Sequence, residues 1–194
     1  MQAISKRQLE IISAAGKILA SRGISSLTIK NLAHEMRFAE SAIYRHFSGK
    51  DEIIVAMLTH LANETDKIYS SSINKADGPE EKFRALFRAQ FKFFNENPFF
   101  AVAIFSDGLM HASEKVNEAI INIMGVKRKH LEPIVKHGQQ KKVFTDTITQ
   151  DELVHVVMGS FRLLMFKWRV SNFEFDIKRK GDKMIEVLLH LIRK

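Results

Sequence analysis

Chain breakers are scarce in this sequence. Three prolines, at positions 79, 98 and 133, and nine glycines punctuate 194 residues, against usual frequencies of roughly 5% and 7%. Strand-rich folds need a turn every few residues, and turns draw heavily on these two residue types. So few breaks leave long regular elements. Apolar residues recur three and four positions apart, which is the helical period. The pattern predicts an all-α fold of about nine helices and no strand, with 45% apolar residues to fill its core.

Local signals place the helices. Ser5 and Gln8 form a capping box opening helix 1, whose face of Leu9, Ile12, Gly16 and Leu19 runs to Arg22 before a stop at Gly23. Thr28 is the N-cap of a short helix 2 with Ile29, Leu32, Ala33 and Met36. Residues 39–47, AESAIYRHF, read as helix 3, with Glu40, Ser41, Tyr44 and Arg45 on one face and Ala39, Ile43 and Phe47 on the other. Ser48 is expected to cap a long helix 4 that carries Ile53, Met57, Leu61 and Ile68 inward and ends in the polar stretch 69–77. Gly78-Pro79-Glu80-Glu81 opens helix 5, striped by Phe83, Phe87, Phe91 and Phe94 and ended by Asn97-Pro98. A short apolar helix 6 stops near Gly108, and helix 7 runs from Ser113 to about Gly138 with a bend before Pro133. Thr149 and Glu152 box the start of helix 8, which reaches Val170, and Asp176 caps helix 9.

The charge is segregated. Of a net +8, residues 1–50 carry +5, from eight basic and three acidic side chains. That is the distribution of a small DNA-contacting head on a larger near-neutral body, and equally that of a solvated basic surface. Without cysteine the chain has no disulfide and no thiolate chemistry, as suits a reducing compartment. No uncharged run approaches the roughly 18 residues a membrane-spanning helix needs. Glu10 and Lys17 interrupt the first apolar stretch, which excludes the core of a signal peptide. A cytoplasmic protein with no membrane partner is expected.

Two short helices joined by a tight turn, behind a longer helix and inside a basic segment, describe a helix-turn-helix whose second helix reads the major groove. The stretch 27–52, LTIKNLAHEMRFAESAIYRHFSGKDE, resembles the tetracycline-repressor (TetR) family of bacterial transcription regulators, through Thr28, the Ala33 region, the run Ile43 to Phe47, and Lys50 with an acid two positions on. The resemblance implies a DNA-binding domain at 1–48 and a ligand-binding and dimerisation domain at 49–194. It also implies a homodimeric repressor on double-stranded DNA with a palindromic operator. By the same resemblance, Thr28, Tyr44, His46 and Lys50 hold phosphates, while Glu40, Ser41, Ala42 and Arg45 approach base edges. Two positions depart from the family. Arg37 stands where the turn usually has glycine, adding a phosphate ligand at a strained position, and Ala39 replaces a capping serine.

For the body, the sequence suggests a dimer through helices 8 and 9, with Val157, Phe161, Leu164, Trp168, Ile185 and Leu188 at the interface and Gly159-Ser160 allowing close approach. It suggests a small hydrophobic inducer, with or without an anionic end, bound by Phe94, Phe105, Met124 and Met158, with adaptable Met110 nearby and Arg162 as charge anchor. Arg162 sits in an apolar run, where it pairs with that anion or with Glu174, Asp176 or Glu186, or else turns its tip to solvent. No cofactor is expected: Gly49-Lys50 lacks the rest of a phosphate loop, and His130 and His137, seven apart, make no metal motif. No nucleophile and base are arranged for catalysis, so no enzyme is expected. The alternative is a helical carrier of hydrophobic molecules without DNA function, which would show no salt-dependent DNA affinity.

Overall fold

The computed structural model describes residues 4–105 and 113–194, so the expected stop at Gly108 and Met110 lie outside the described residues. Nine helices cover the described chain: α1 (Lys6–Arg22), α2 (Ile29–Met36), α3 (Glu40–Tyr44), α4 (Lys50–Ile73), α5 (Gly78–Glu96), α6 (Pro98–Ile104), α7 (Glu114–Gln140), α8 (Gln150–Val170) and α9 (Ile177–Ile192). The caps fall where the sequence puts them. Gln8 N donates to Ser5 Oγ at 3.2 Å while Ser5 N donates to Gln8 Oε1 at 3.0 Å. Glu152 N donates to Thr149 Oγ1 at 3.3 Å, and Thr149 N donates back to Glu152 at 2.9 Å. Gly23 stops α1 at φ 75°, a conformation open to glycine at little cost.

Several expectations are corrected. Helix 3 is shorter than 39–47: it ends at Tyr44, and the N–H of Arg45 reaches only the Ile43 carbonyl, two residues back. Ser48 lies two residues ahead of α4, and its N–H donates to Glu52 in the first turn at 2.5 Å. α4 runs through Tyr69 to Ile73, and Tyr69 is buried rather than part of a polar terminus. Leu9 and Ala39 are exposed, since the inward face of α1 centres on Ile11, Ala15 and Ile18, and Ala39 stands ahead of its helix.

Packing sorts the chain into two compact units. One comprises residues 1–63 and 98–123, the other 64–97 and 124–194. This grouping differs from a division at residue 48. In the first unit α6 lies on α1: a Cβ on Gly16 would fall inside the ring of Phe99, so the small stretch Ala14-Ala15-Gly16 is the seat for α6. Leu27, Leu32, Ile43, Phe47, Ile53 and Leu58 close the core beneath α2 and α3.

In the second unit α5 packs on α9 and α8 on α9. The four phenylalanines striped along α5 are all buried, each worth about 2–3 kcal/mol of transferred apolar surface. Gly181 lets α9 approach Phe91, and Arg84 clamps the pair with hydrogen bonds of 2.8 and 2.9 Å to Glu186. Phe144 fills the space beside Gly138, where a Cβ would meet the ring. Gly138→Ala is therefore expected to cost about 1–3 kcal/mol by overpacking. A urea melt shows it as a lower midpoint at unchanged slope; an unchanged midpoint would mean Phe144 can move aside. The chain's end is tied in as well, Arg193 Nε donating to Glu80 at 2.7 Å and Thr145 N to the Ile192 carbonyl at 2.7 Å.

Candidate nucleic-acid interface

The first unit presents α3 on a short scaffold. Ile43 and Phe47 are buried and anchor it, so Glu40, Ser41, Tyr44 and Arg45 point outward, Ala42 is half-buried, and Tyr44 is 53% exposed. The face thus carries a hydroxyl, a phenol, a carboxylate, a guanidinium and no bulky aliphatic group. His46 lies past the end of α3, half-buried, with its carbonyl 3.5 Å from Gln8 Nε2.

Two helix N-termini belong to the same unit. At α2, Thr28 is exposed and its Oγ1 accepts from Asn31 N at 3.1 Å, leaving the hydroxyl proton to donate elsewhere. At α4, Lys50 is half-buried and donates from Nζ to the Ile24 carbonyl at 3.2 Å, which braces the 3-10 turn Ile24–Ser26 against the helix start. The backbone N–H and the side chain of Ser48 hold the Glu52 carboxyl below the usual carboxylate range. Helix N-termini of this kind favour phosphate through their unpaired N–H groups and positive dipole end.

Of the three acids in residues 1–50, Glu10 pairs with Arg7 at 2.5 Å and Glu35 with Arg22 at 3.1 Å. Glu40 is the one on the α3 face. Arg37 is exposed and adopts φ 56°, ψ 45°, the left-handed conformation expected of it, and Ala39 makes no side-chain cap. Arg37→Gly is expected to stabilise the protein by about 1 kcal/mol, since relief of about 1–2 kcal/mol of strain outweighs glycine's entropic cost. Thermal unfolding reads this as a rise of a few degrees; a fall would show that the arginine side chain contributes more than its backbone costs.

Residues 11–57 match the family described as "Bacterial regulatory proteins, tetR family", and residues 58–191 match "YsiA-like protein, C-terminal region". The chain belongs to the tetR family of bacterial regulatory proteins. The family boundary falls at 57/58, inside α4. Among relatives, the transcriptional regulator BetI of Brucella suis is 31% identical over 85 residues, covering 44% of this chain and 43% of BetI, so the chain matches less than half of that protein's length. Among solved structures, the fatty acid degradation regulator FadR of Bacillus halodurans superposes with TM-score 0.88 at 18% identity over 97% of each chain. FadR of Bacillus subtilis in complex with stearoyl-CoA gives 0.85 at 17% identity over 95% of this chain and 99% of its own. This tetR-family member thus shares its helical fold with both.

The second unit redistributes the residues expected there. Val157, Phe161, Trp168, Ile185 and Leu188 are buried within their own unit, and Leu164 is half-buried. Helix α8 is apolar on two faces, and the one turned outward carries Val156, Leu163, Phe166 and Val170 instead. Gly159 lies on that side with open space before it, and α9 exposes Val187 and Leu191. Of the expected ligand set, Phe94 is buried in the second unit and Phe105 in the first; Met158 is half-buried and Met124 exposed. Arg162 is exposed, as a solvent-facing tip would be; Glu186 pairs with Arg84 and Asp176 caps α9. His130 is held by Asp66 at 2.6 Å with its ring edge-on to Tyr69. The buried cation of this unit is Lys127, which sequence reasoning passed over. Its spacing from Ile123 and Leu131, four residues either way, was the available signal.

Proposed function

We propose that this protein is a dimeric, ligand-responsive DNA-binding regulator of the cytoplasm, a repressor released from a palindromic operator by a small apolar inducer. The outward face of α3 carries this reading: it bears only short or hydrogen-bonding groups, beside two helix N-termini in a stretch, residues 1–50, with a net charge of +5. In this reading Thr28, Arg37, Tyr44, His46 and Lys50 hold phosphates and fix register. Ser41, Ala42, Arg45 and Glu40 meet base edges, Ala42 suiting a thymine methyl and Glu40 a cytosine amine. The exposed stripes of α8 and α9 pair across a two-fold axis.

The inducer occupies the second unit, whose phenylalanines offer apolar lining; the stearoyl-CoA bound by the Bacillus subtilis relative supports a ligand with a hydrocarbon body. Helix α4 is continuous from Lys50 to Ile73 and carries the effect to the head. By linkage, an inducer that weakens DNA binding tenfold binds the DNA complex tenfold less well. The test is selection of bound DNA from a random pool. Enrichment of an inverted repeat with half-sites about one helical turn, or a multiple of it, apart is expected. A pool that emerges unenriched would refute the reading.

A further inference from the structure

Lys127 occupies a place in α7 where hydrocarbon would be expected. Its side chain is 5% exposed, and its Nζ stands 3.0 Å from the centroid of the Phe161 ring and 4.5 Å from that of Phe87. No hydrogen bond reaches that nitrogen. Phe161 in turn packs against Phe91 and Phe94, with ring centroids 5.5 and 6.4 Å apart. On the same side of α5, Gln90 is buried, and its Oε1 also lacks a partner.

Two buried side chains of the second unit, Lys127 and Gln90, are therefore each left with a polar atom short of a partner. Aromatic faces attract an ammonium but do not replace its lost hydration, and a methionine would fill the same space without that cost. The neighbouring basic side chains of α7 are already engaged: Arg128 with Glu132 and Asp151, and Lys129 and His130 with Asp66. From the packed helices, Phe87 of α5 and Phe161 of α8 face the amine, and neither can supply an anion.

We propose that Lys127 is the head-group anchor of the inducer site, pairing with the carboxylate of a monocarboxylic acid whose hydrocarbon body lies against Phe87, Phe91, Phe94 and Phe161. The proposal rests on the ligand-responsive reading above and names its ligand class. Gln90 supplies a second polar contact, its amide turning to donate to a carboxylate oxygen. A carboxylate is a compact single charge and can be desolvated at so buried a point. A coenzyme A head carries several charges on a large polar body and would leave them unpaired there, and the thioester itself has no anion.

Binding has a proton signature. Burial alone pushes the Lys127 ammonium well below the usual lysine range, which favours the neutral amine in the unliganded protein. An arriving carboxylate favours the charged form, so the complex holds more bound proton than its separate parts. Affinity for the acid therefore falls as pH rises, and binding draws a proton from the buffer.

The experiment is calorimetric titration of the delipidated full chain with straight-chain carboxylic acids of medium and long chain length, the primary alcohols of equal length and the corresponding coenzyme A thioesters. Wild type and Lys127→Met are compared in two buffers of different ionisation heat. Wild type is expected to prefer acid over alcohol and thioester by about tenfold or more, with net proton uptake on binding acid. Lys127→Met keeps the side-chain length and removes a buried amine, so it should fold at least as stably, bind acid and alcohol alike and take up no proton. Equal binding of acid and alcohol by wild type, preference for the thioester, or an acid preference that survives in Lys127→Met would overturn the proposal. Should the variant fail to fold, the wild-type ratios and proton count decide. DNA binding measured on the same samples separates the two readings. Intact DNA binding without acid preference removes only the anchor, while Lys127-dependent acid binding without DNA binding removes the regulator and leaves the anchor.

Discussion

Affinity for the selected operator falls by about a thousandfold between roughly 50 and 200 mM salt, because each neutralised phosphate releases counterions at a slope of about 0.9 in log salt. Arg37 and Lys50, with the exposed Lys30 in the first turn of α2, give three cations per head and about six in a dimer, hence a slope near −5. Tyr44→Phe keeps the slope and lowers affinity for all sequences, by about tenfold for each half-site, since a neutral phenol donates a hydrogen bond to phosphate without releasing an ion. Its exposed side chain makes the change harmless to the fold. Lys50→Ala reduces the slope by about one for each head. It also loses the bond to the Ile24 carbonyl, so its stability must be measured beside its affinity. Ser41 variants shift base preference at one position instead of weakening all sites. Fluorescence anisotropy across a salt series reads all of these, and a salt-independent affinity contradicts the interface.

Leu163→Glu leaves the protein folded and monomeric. The side chain is 54% exposed on a single chain, between Val156 and Phe166 on the outward stripe of α8, so a carboxylate there is solvated in the monomer. Across a two-fold axis the same substitution brings two unpaired charges into an apolar contact, at a cost of about 4 kcal/mol or about a thousandfold in the dimer constant. Sedimentation at micromolar concentration should give twice the chain mass for wild type and the chain mass for the variant. DNA affinity should drop as well, by about a hundredfold or more, because the second half-site no longer benefits from effective concentration. Val157→Glu is the contrast: that residue is 0% exposed, and its variant should unfold the subunit rather than split the dimer. A monomeric wild type, or a Leu163→Glu protein that still sediments as a dimer, would reject the interface on α8 and α9.

What could be read from the sequence is what neighbours along the chain decide among themselves. Ser5 with Gln8, Thr28 with Asn31, Thr149 with Glu152 and Asp176 with Lys178 and Arg179 all bond within four residues, so the helix starts follow from local chemistry. The left-handed turn at Arg37 and the uncapped Ala39 follow in the same way, and so does the outward set on α3, where Ile43 and Phe47 leave one face to bury. The candidate DNA interface was legible for that reason. The second unit was not. Helix α8 offers two apolar faces, and its own sequence holds nothing that says which one a neighbour covers; packing on α9 buries Val157, Phe161 and Trp168 and turns Leu163 and Phe166 outward. Arg162, apolar in its sequence neighbourhood, is exposed because the covered face of α8 lies on the other side. Lys127, ordinary in a charged stretch of α7, is buried because α5 and α8 bring Phe87 and Phe161 over it. Period and caps are settled over one helical turn, whereas burial depends on which distant helix arrives, and only the tertiary structure decides that.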